Sequence, residues 1–305
     1  MEDFNKNLHP NTIMLGCFKS GTTYLHSILI ANKAIFSPSV KEQNYFSDSV
    51  YGEAPLDLAR VSREIARDFA GSAAYRYRIE TSPCYLYMPE GKCLDLLRFY
   101  GNDAKFIVII RRPSARLRSF FDFWNANGES FGTFPEFLDN CFLTEETGVV
   151  NRNAKLCRNA VRESQYSKYL EVWQHLDGFD WRERLLVVSF EDMIRRDDHF
   201  LQTLNRFFEF DEGLMWPGDG DAQRNQSVVN RSKALHRAYM LAAQFGNRYI
   251  SKYPGLKYKL KRVYLRLNQK KLERDVERDL RLEALDSEEE VNLSRLGIEV
   301  SWTKS

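Results

Sequence analysis

Short apolar runs alternate along the chain with stretches in which apolar residues recur at helical spacing. The run from Thr12 to Gly16 predicts a buried strand. The stretch from Thr22 to Asn32 predicts a helix, because Leu25, Ile28 and Leu29 fall on one side of it. A glycine-bearing turn joins the two elements, so the chain is expected to open with a strand, a turn and a helix.

The same alternation continues through the middle of the chain. Lys105 to Ile110 is the clearest strand, since an apolar run of this kind is typical of the centre of a parallel sheet. A helix is predicted from Pro113 to about Trp124. Tyr77 to Glu80 and Leu185 to Phe190 are further strands, and a helix follows from about Asp197 to Phe208. Strands that alternate with helices predict an α/β fold, with a central parallel β-sheet flanked by helices.

Composition excludes several classes of protein. The 305 residues carry 44 Lys and Arg against 42 Asp and Glu, so a strongly basic protein that coats nucleic acid is excluded. Five cysteines with no C-x-x-C pair indicate reduced thiols rather than a zinc ribbon or a disulfide scaffold. The start of the chain has no signal-peptide pattern and no run approaches 18 apolar residues, so a cytoplasmic protein without a membrane span is expected.

The C-terminal segment, about 232–305, is expected to be helical and rich in charge. Residues 246–271 carry nine Lys or Arg and no acid, with apolar residues at helical spacing between Leu256 and Leu267. This basic stretch is interpreted as the solvated face of an amphipathic helix. Binding of an anionic glycan, a membrane surface or nucleic acid is the alternative, and no nucleic-acid partner is predicted.

The turn from Gly16 to Thr23 carries the first candidate chemistry. Its backbone N–H groups and the start of the following helix form a setting that favours a phosphate. Glycines five apart resemble a nucleotide-binding P-loop, but Thr22 stands where the P-loop lysine belongs, and Lys19 precedes Gly21. The loop is therefore expected to hold one 5′-phosphate rather than a triphosphate with Mg²⁺. A glycine turn without function is the alternative.

Two motifs together resemble a known family. Lys19-Ser20-Gly21-Thr22-Thr23 looks like the 5′-phosphosulfate loop of sulfotransferases that use 3′-phosphoadenosine 5′-phosphosulfate (PAPS). The segment that begins at Arg111 and ends at Ser119 matches the family's 3′-phosphate motif, R-x-P-x-x-R-x-x-S. An arginine and a serine can both donate to one phosphate, although solvated arginines at a strand end are the alternative.

Looser matches extend the resemblance from about Asn11 to Trp302, in the segments Tyr166 to Trp173 and Leu293 to Trp302. The resemblance implies a single domain over residues 1–305. It also implies a P-loop-like nucleotide-binding core with a helical C-terminal part. The near-neutral net charge is expected to hide a local cationic cluster of Lys19, Lys41, Arg111 and Arg116.

The segment Val40 to Phe46 supplies the candidate base. It resembles the K-E-x-x-x-F segment of bacterial, carbohydrate-type sulfotransferases, in which the glutamate is the general base and the lysine lies near the transferring group. The resemblance assigns these roles to Glu42 and Lys41, with Lys19 stabilising the leaving phosphate; a solvated Lys-Glu pair is the alternative. His26 is interpreted as a packing or surface residue. Thr81 stands where many relatives carry a lysine, so that contact is expected to be missing.

The resemblance implies PAPS as donor, PAP as product and no required metal. Sulfuryl transfer to a hydroxyl or amine of a glycan or small-molecule acceptor is the function that it implies. Arg224 and Arg231 are further candidates for contacts on the adenosine side. A P-loop-like nucleotide kinase or hydrolase, and a non-catalytic PAPS-binding module, are the rival readings. The oligomeric state stays open.

Overall fold

The computed structural model describes residues 9–46, 57–127, 129, 131–147, 152–217, 228–230, 269–271, 279–300 and 302. The strands are β1 (Thr12–Gly16), β2 (Ile35–Phe36), β3 (Tyr77–Thr81), β4 (Lys105–Ile110), β5 (Leu185–Ser189), β6 (Val228–Asn230) and β7 (Gln269–Lys271). The α-helices are α1 (Thr22–Leu29), α2 (Leu58–Asp68), α3 (Glu90–Tyr100), α4 (Pro113–Ala126), α5 (Phe134–Thr147), α6 (Arg152–Arg162), α7 (Tyr166–Gln174), α8 (Trp181–Arg184), α9 (Phe190–Arg195), α10 (Asp198–Phe208) and α11 (Leu280–Arg295). Short 3-10 helices span Ser72–Ala74 and Tyr85–Tyr87.

Five strands form one parallel sheet in the order β2-β3-β1-β4-β5. Thr12 of β1 is in register with Ile79 on one side and with Lys105 on the other. After β1, the chain adds β2 and β3 on one side of that strand, and then adds β4 and β5 on the other side. In sheets of this kind ligands bind beyond the carboxyl ends of the strands, at the point where the strand order reverses. The loops after β1 and β4 meet at that point.

The alternation of side chains along the central strands builds a core on each face of the sheet. Ile13 and Leu15 of β1 face one apolar cluster, whereas Met14 faces the other. Ile107 and Ile109 of β4 lie in the same cluster as Met14. Because both faces are covered, these strands contain almost no polar positions, as the sequence predicts.

Most boundaries of the predicted elements are confirmed to within a few residues. The first helix ends at Leu29 rather than Asn32, and the strand predicted through Phe190 ends at Ser189. Phe190 starts α9, because the Ser189 hydroxyl accepts a hydrogen bond from the Glu191 N–H and caps the helix there. The two-residue strand β2 was missed, since a run so short carries no periodicity.

The chain divides into two compact units. The first comprises residues 1–116, 163–225 and 281–305, and it contains the five-stranded sheet. The second comprises residues 117–162 and 226–280. Within the second unit, aromatic side chains of α4 and α5 pack together, Phe121 lying 5.4 Å from Phe137 between ring centroids. A single domain over the whole chain stays a prediction.

The basic stretch 246–271 lies outside the described residues except at its end. Gln269–Lys271 pairs there with Val228–Asn230 as an antiparallel strand. The helical expectation is therefore wrong at these three residues, since β-branched Val228 and Val229 provide a pairing partner that a local pattern does not reveal. The helical prediction for the C-terminal part is confirmed by α11. Among the described helices, none has the length and apolar character needed to cross a bilayer.

Candidate functional site

The loop between β1 and α1 has the geometry of an anion-binding turn. Tyr24 and Leu25 both donate their backbone N–H groups to the Gly21 carbonyl, which fixes the first turn of α1. Gly21 is the N-cap and has no side chain with which to cap the helix. The N–H groups of Thr22 and Thr23 therefore lie at a positive helix end without a capping oxygen from that residue, and this is a setting that an anion satisfies.

Gly21 is required at its position by two features. Its φ of 91° lies in the left-handed region, where glycine is strongly favoured. A Cβ atom there would also lie 2.5 Å from Cδ2 of Phe190, at the start of α9. Phe190 therefore packs directly against the loop, a contact that the sequence pattern did not indicate.

Arg111 follows β4 and contacts the same loop. Its Nη1 donates to the Lys19 carbonyl at 3.3 Å, and its guanidinium lies 4.4 Å from the centre of the Phe190 ring. The Tyr166 hydroxyl donates to the Arg111 carbonyl at 2.8 Å. The side chain of Arg111 is half-buried, so it is held in place at the carboxyl ends of β1 and β4 while still presenting charge there.

Arg116 plays a different part from the one that the sequence suggested. Its side chain is completely buried and forms an ion pair with Glu163 at 2.7 Å. It also donates to the Phe18 carbonyl at 2.9 Å and to the Ser164 hydroxyl at 2.8 Å. Its charge is balanced by a carboxylate, so Arg116 does not belong to the expected cationic cluster. It instead joins the loop between β1 and α1 to the turn that precedes α7.

Lys41 and Glu42 lie beside the beginning of α1. Lys41 Nζ donates to the Thr23 hydroxyl at 3.0 Å and to Glu42 Oε1 at 3.1 Å. Burial lowers the pKa of Lys41, and Glu42 partly opposes that shift. The Glu42 side chain is 42% exposed, so it can meet a molecule from solvent. The structure thus brings together three residues that the sequence assigned to one site from two separate segments.

The backbone of this segment is unusual. Glu42 and Asn44 both have positive φ angles, 65° and 53°, and neither is glycine. Backbone strain of this kind persists only where surrounding contacts fix it, and it is common at functional sites. Asn44 receives such a contact, because its N–H donates to the Ser82 hydroxyl at 3.1 Å. Ser82 was not singled out by the sequence.

His26 is a buried residue, in agreement with its interpretation as a packing histidine. Its Nδ1 lies 2.8 Å from the Thr81 hydroxyl, and its Nε2 lies 3.2 Å from the Ser37 hydroxyl. Burial and the nearby Lys41 lower its pKa to about 4, so the ring is neutral at pH 7. Thr81, which replaces the lysine of many relatives, therefore contacts His26.

The remaining predicted residues are less informative. Ser20 is buried in the loop, and Lys19 adopts a left-handed φ of 67°. Ser119 lies one turn after Arg116 on α4, in the part of the helix that belongs to the second unit. Arg224 and Arg231 lie outside the described residues. Within the described part of the chain, no three His, Cys, Asp or Glu side chains cluster as a metal site would require.

Comparisons with known proteins identify a family and a similar fold. The family model described as a sulfotransferase domain matches residues 9–235. The structure resembles a crystal structure of a sulfotransferase from Alicyclobacillus acidocaldarius, with a TM-score of 0.54 and 21% identity over 70% of this chain and 89% of that one. Mouse sulfotransferase SULT7A1 complexed with PAP has a TM-score of 0.41 and 16% identity, over 73% of this chain and 67% of that one. Comparison with curated proteins gives no significant match.

Proposed function

The chain belongs to the sulfotransferase family, and from this premise we propose that it transfers a sulfuryl group from PAPS to a hydroxyl or amine of a glycan or small molecule. Family membership supports the enzyme class and PAPS as donor. The proposal adds Glu42 as general base and Lys19 as the cation at the leaving phosphate. The observation that carries it is the link from Glu42 through Lys41 to Thr23, which joins the candidate base to the phosphate loop.

The residues of the loop suit the donor. The N-terminus of α1 and the segment Ser20–Thr23 would hold the 5′-phosphosulfate, because they offer hydrogen-bond donors at a positive helix end. Arg111 would hold the 3′-phosphate, as the arginine that opens the motif for that group. The part of Ser119, the last residue of the motif, stays a prediction from the sequence. In PAPS the sulfuryl group is bonded to the 5′-phosphate. PAP is the nucleotide that leaves when the sulfuryl group is transferred. Thr22 directly follows Gly21, at the position where a nucleotide kinase has the lysine of its P-loop.

Residues of this chain can accept the proton of the acceptor and offset the negative charge that develops on the donor. Glu42 accepts the proton of the acceptor hydroxyl or amine as the new bond to sulfur forms. Lys19 offsets the negative charge that develops on the 5′-phosphate oxygen as its bond to sulfur breaks. Lys41, held between Thr23 and Glu42, keeps the base beside the loop and adds a second cation. The half-exposed Glu42 carboxylate leaves the acceptor free to approach from solvent.

Glu42→Gln tests the proposal most simply. Turnover of PAPS with a pool of sugars and small alcohols is followed by mass spectrometry, which detects the sulfated product and PAP. Removal of a general base typically costs about 100-fold or more in rate. PAP affinity should stay within about two-fold, since the 3′- and 5′-phosphate contacts remain.

Glu171→Gln is the matched control. Glu171 is an exposed residue of α7 and belongs to neither the loop nor the Glu42 segment, so this variant should keep wild-type turnover. Full turnover in Glu42→Gln would remove Glu42 as the base. Absence of any sulfated product from the wild-type protein, together with PAP binding, would instead favour a non-catalytic PAPS-binding module.

A further inference from the structure

A buried carboxylate lies beneath the segment that carries Glu42. Glu80, at the carboxyl end of β3, is completely inaccessible to solvent. Two hydroxyl groups donate to it, that of Ser82 at 2.8 Å and that of Tyr100. Sulfuryl transfer as proposed above has no use for a carboxylate at this depth, so its role must be sought in what these hydroxyls hold.

Two hydroxyls hold the backbone of the Glu42 segment. The Ser82 hydroxyl accepts the Asn44 N–H at 3.1 Å. The Tyr85 hydroxyl accepts the Phe46 N–H at 2.9 Å. The backbone two residues after Glu42 is therefore bonded, through the Ser82 hydroxyl, to the buried Glu80 carboxylate.

The Ser82 hydroxyl serves both neighbours at once. A hydroxyl group has one O–H donor and two acceptor lone pairs, so Ser82 can donate to Glu80 and accept from the Asn44 N–H at the same time. Its bond to Glu80 therefore fixes the position of the oxygen that accepts from Asn44.

The segment needs such support because of its strained backbone. Glu42 and Asn44 both adopt left-handed φ angles, a conformation that residues other than glycine adopt less readily. The Asn44 side chain adds a bond to the Glu42 carbonyl at 3.0 Å, which transmits the position of Asn44 to Glu42. If the Asn44 N–H lost its acceptor, the segment could relax and carry Glu42 away from Lys41.

We infer that Glu80 is a positioning residue that, through the Ser82 hydroxyl, holds Glu42 in the place where it takes the acceptor's proton. This inference rests on the proposed role of Glu42 as base. Glu80 touches neither donor nor acceptor, and its effect is confined to the orientation of the Glu42 segment. Misplacement of a catalytic group by about 1 Å can cost on the order of 100-fold in rate.

The test uses two variants that keep the shape of the core. Ser82→Ala and Tyr85→Phe each remove one hydroxyl, whereas Glu80→Gln carries a greater risk of misfolding because its site is fully buried. Each should lower kcat by about ten-fold or more. The KM for PAPS and the affinity for PAP should change by less than about two-fold, because the phosphate loop is untouched.

Tyr77→Phe controls for the loss of a buried tyrosine hydroxyl as such. The Tyr77 hydroxyl donates to the Phe208 carbonyl, away from the Glu42 segment. Its kcat should equal that of the wild type even where its thermal stability matches that of Ser82→Ala. Equal kcat losses in Ser82→Ala and Tyr77→Phe would overturn the inference.

Combining Ser82→Ala with Glu42→Gln separates this inference from the proposed function. If Ser82 acts through Glu42, Ser82→Ala should change the residual rate of Glu42→Gln by less than about two-fold. The same fold-loss in both backgrounds would overturn the inference. Should Glu42→Gln by itself retain full turnover, the proposed base has failed, and that result is visible without Ser82→Ala.

Discussion

At the scale of single residues, the two arginines of the 3′-phosphate motif do different work. Arg111 is half-buried, lies over the Phe190 ring and faces the loop. Arg116 is fully buried and neutralised by Glu163. A motif lists both as cations, but only burial decides which of them has charge to offer a ligand. The structure assigns Arg116 to support of the Phe18 carbonyl.

Arg116→Met should therefore lower the stability of the protein more than it lowers the affinity for the donor. The change leaves the buried Glu163 carboxylate without its guanidinium, which typically destabilises a protein by about 3–5 kcal/mol. Urea denaturation monitored by fluorescence measures the loss. Arg67→Met is the control, because the Arg67 side chain is exposed and the loss of its pair with Asp68 should cost less than about 1 kcal/mol. Similar losses in the two variants would contradict the supporting role of Arg116.

At the scale of elements, two acidic side chains of α11 accept hydrogen bonds from the first turns of two other helices. Asp286 accepts hydrogen bonds from the N–H and the hydroxyl of Ser114, in the first turn of α4. Glu289, one turn later, accepts the same pair of bonds from Ser167 in the first turn of α7. The N–H groups in the first turn of a helix have no partner within the helix, and each of these carboxyl groups satisfies one of them. One face of α11 thus caps the helix that follows Arg111 and the helix that follows Glu163.

The cap on α7 is expected to depend on pH. Burial raises the pKa of Glu289 from 4.5 to about 7, against the opposing effect of the Ser167 hydrogen bonds. The folded protein therefore holds this proton more tightly than the unfolded chain. The stability that Glu289 contributes is fully present below pH 4.5 and falls as the pH rises to about 7.

Glu289→Gln should flatten this dependence, because glutamine mimics the protonated form at every pH. Between pH 5 and pH 8 the wild type should lose on the order of 1–3 kcal/mol more stability than the variant. Denaturant unfolding at both pH values measures the difference. Glu288→Gln removes an exposed neighbouring acid whose charge is a lesser cause of the raised pKa of Glu289, so it should keep most of the wild-type dependence. A wild type and a Glu289→Gln variant with the same pH dependence would show that the cap does not titrate in this range.

At the scale of the whole molecule, much of the fold follows from local pattern. Runs such as Phe106 to Ile110 are buried on both faces, so apolar character alone identified the central strands. The order of the sheet did not follow, because pairing of β1 with both β3 and β4 depends on contacts between distant segments. Strand β7 was mistaken for helix for the same reason, since its partner β6 lies about 40 residues earlier.

The sequence also predicted some residues of the candidate site, but not all of them. Lys19, Gly21, Arg111 and the Lys41–Glu42 pair could be named because they stand at fixed places in short motifs. Phe190 and Ser82 could not, since each acts through a contact across the fold and neither has a distinctive residue type. The burial of Arg116 was equally hidden, because its partner Glu163 lies 47 residues away.

Binding of PAP measured by titration calorimetry without Mg²⁺ tests the central claim most directly. The account predicts that PAP binds at least about ten-fold more tightly than adenosine 5′-phosphate, since hydrogen bonds to a charged group are worth about 1.5–3 kcal/mol. Arg111→Ala should remove most of that difference, whereas Arg98→Ala, an exposed change on α3, should keep it. Equal affinity for the two nucleotides, or tighter binding of ATP with Mg²⁺ than of PAP, would contradict the account.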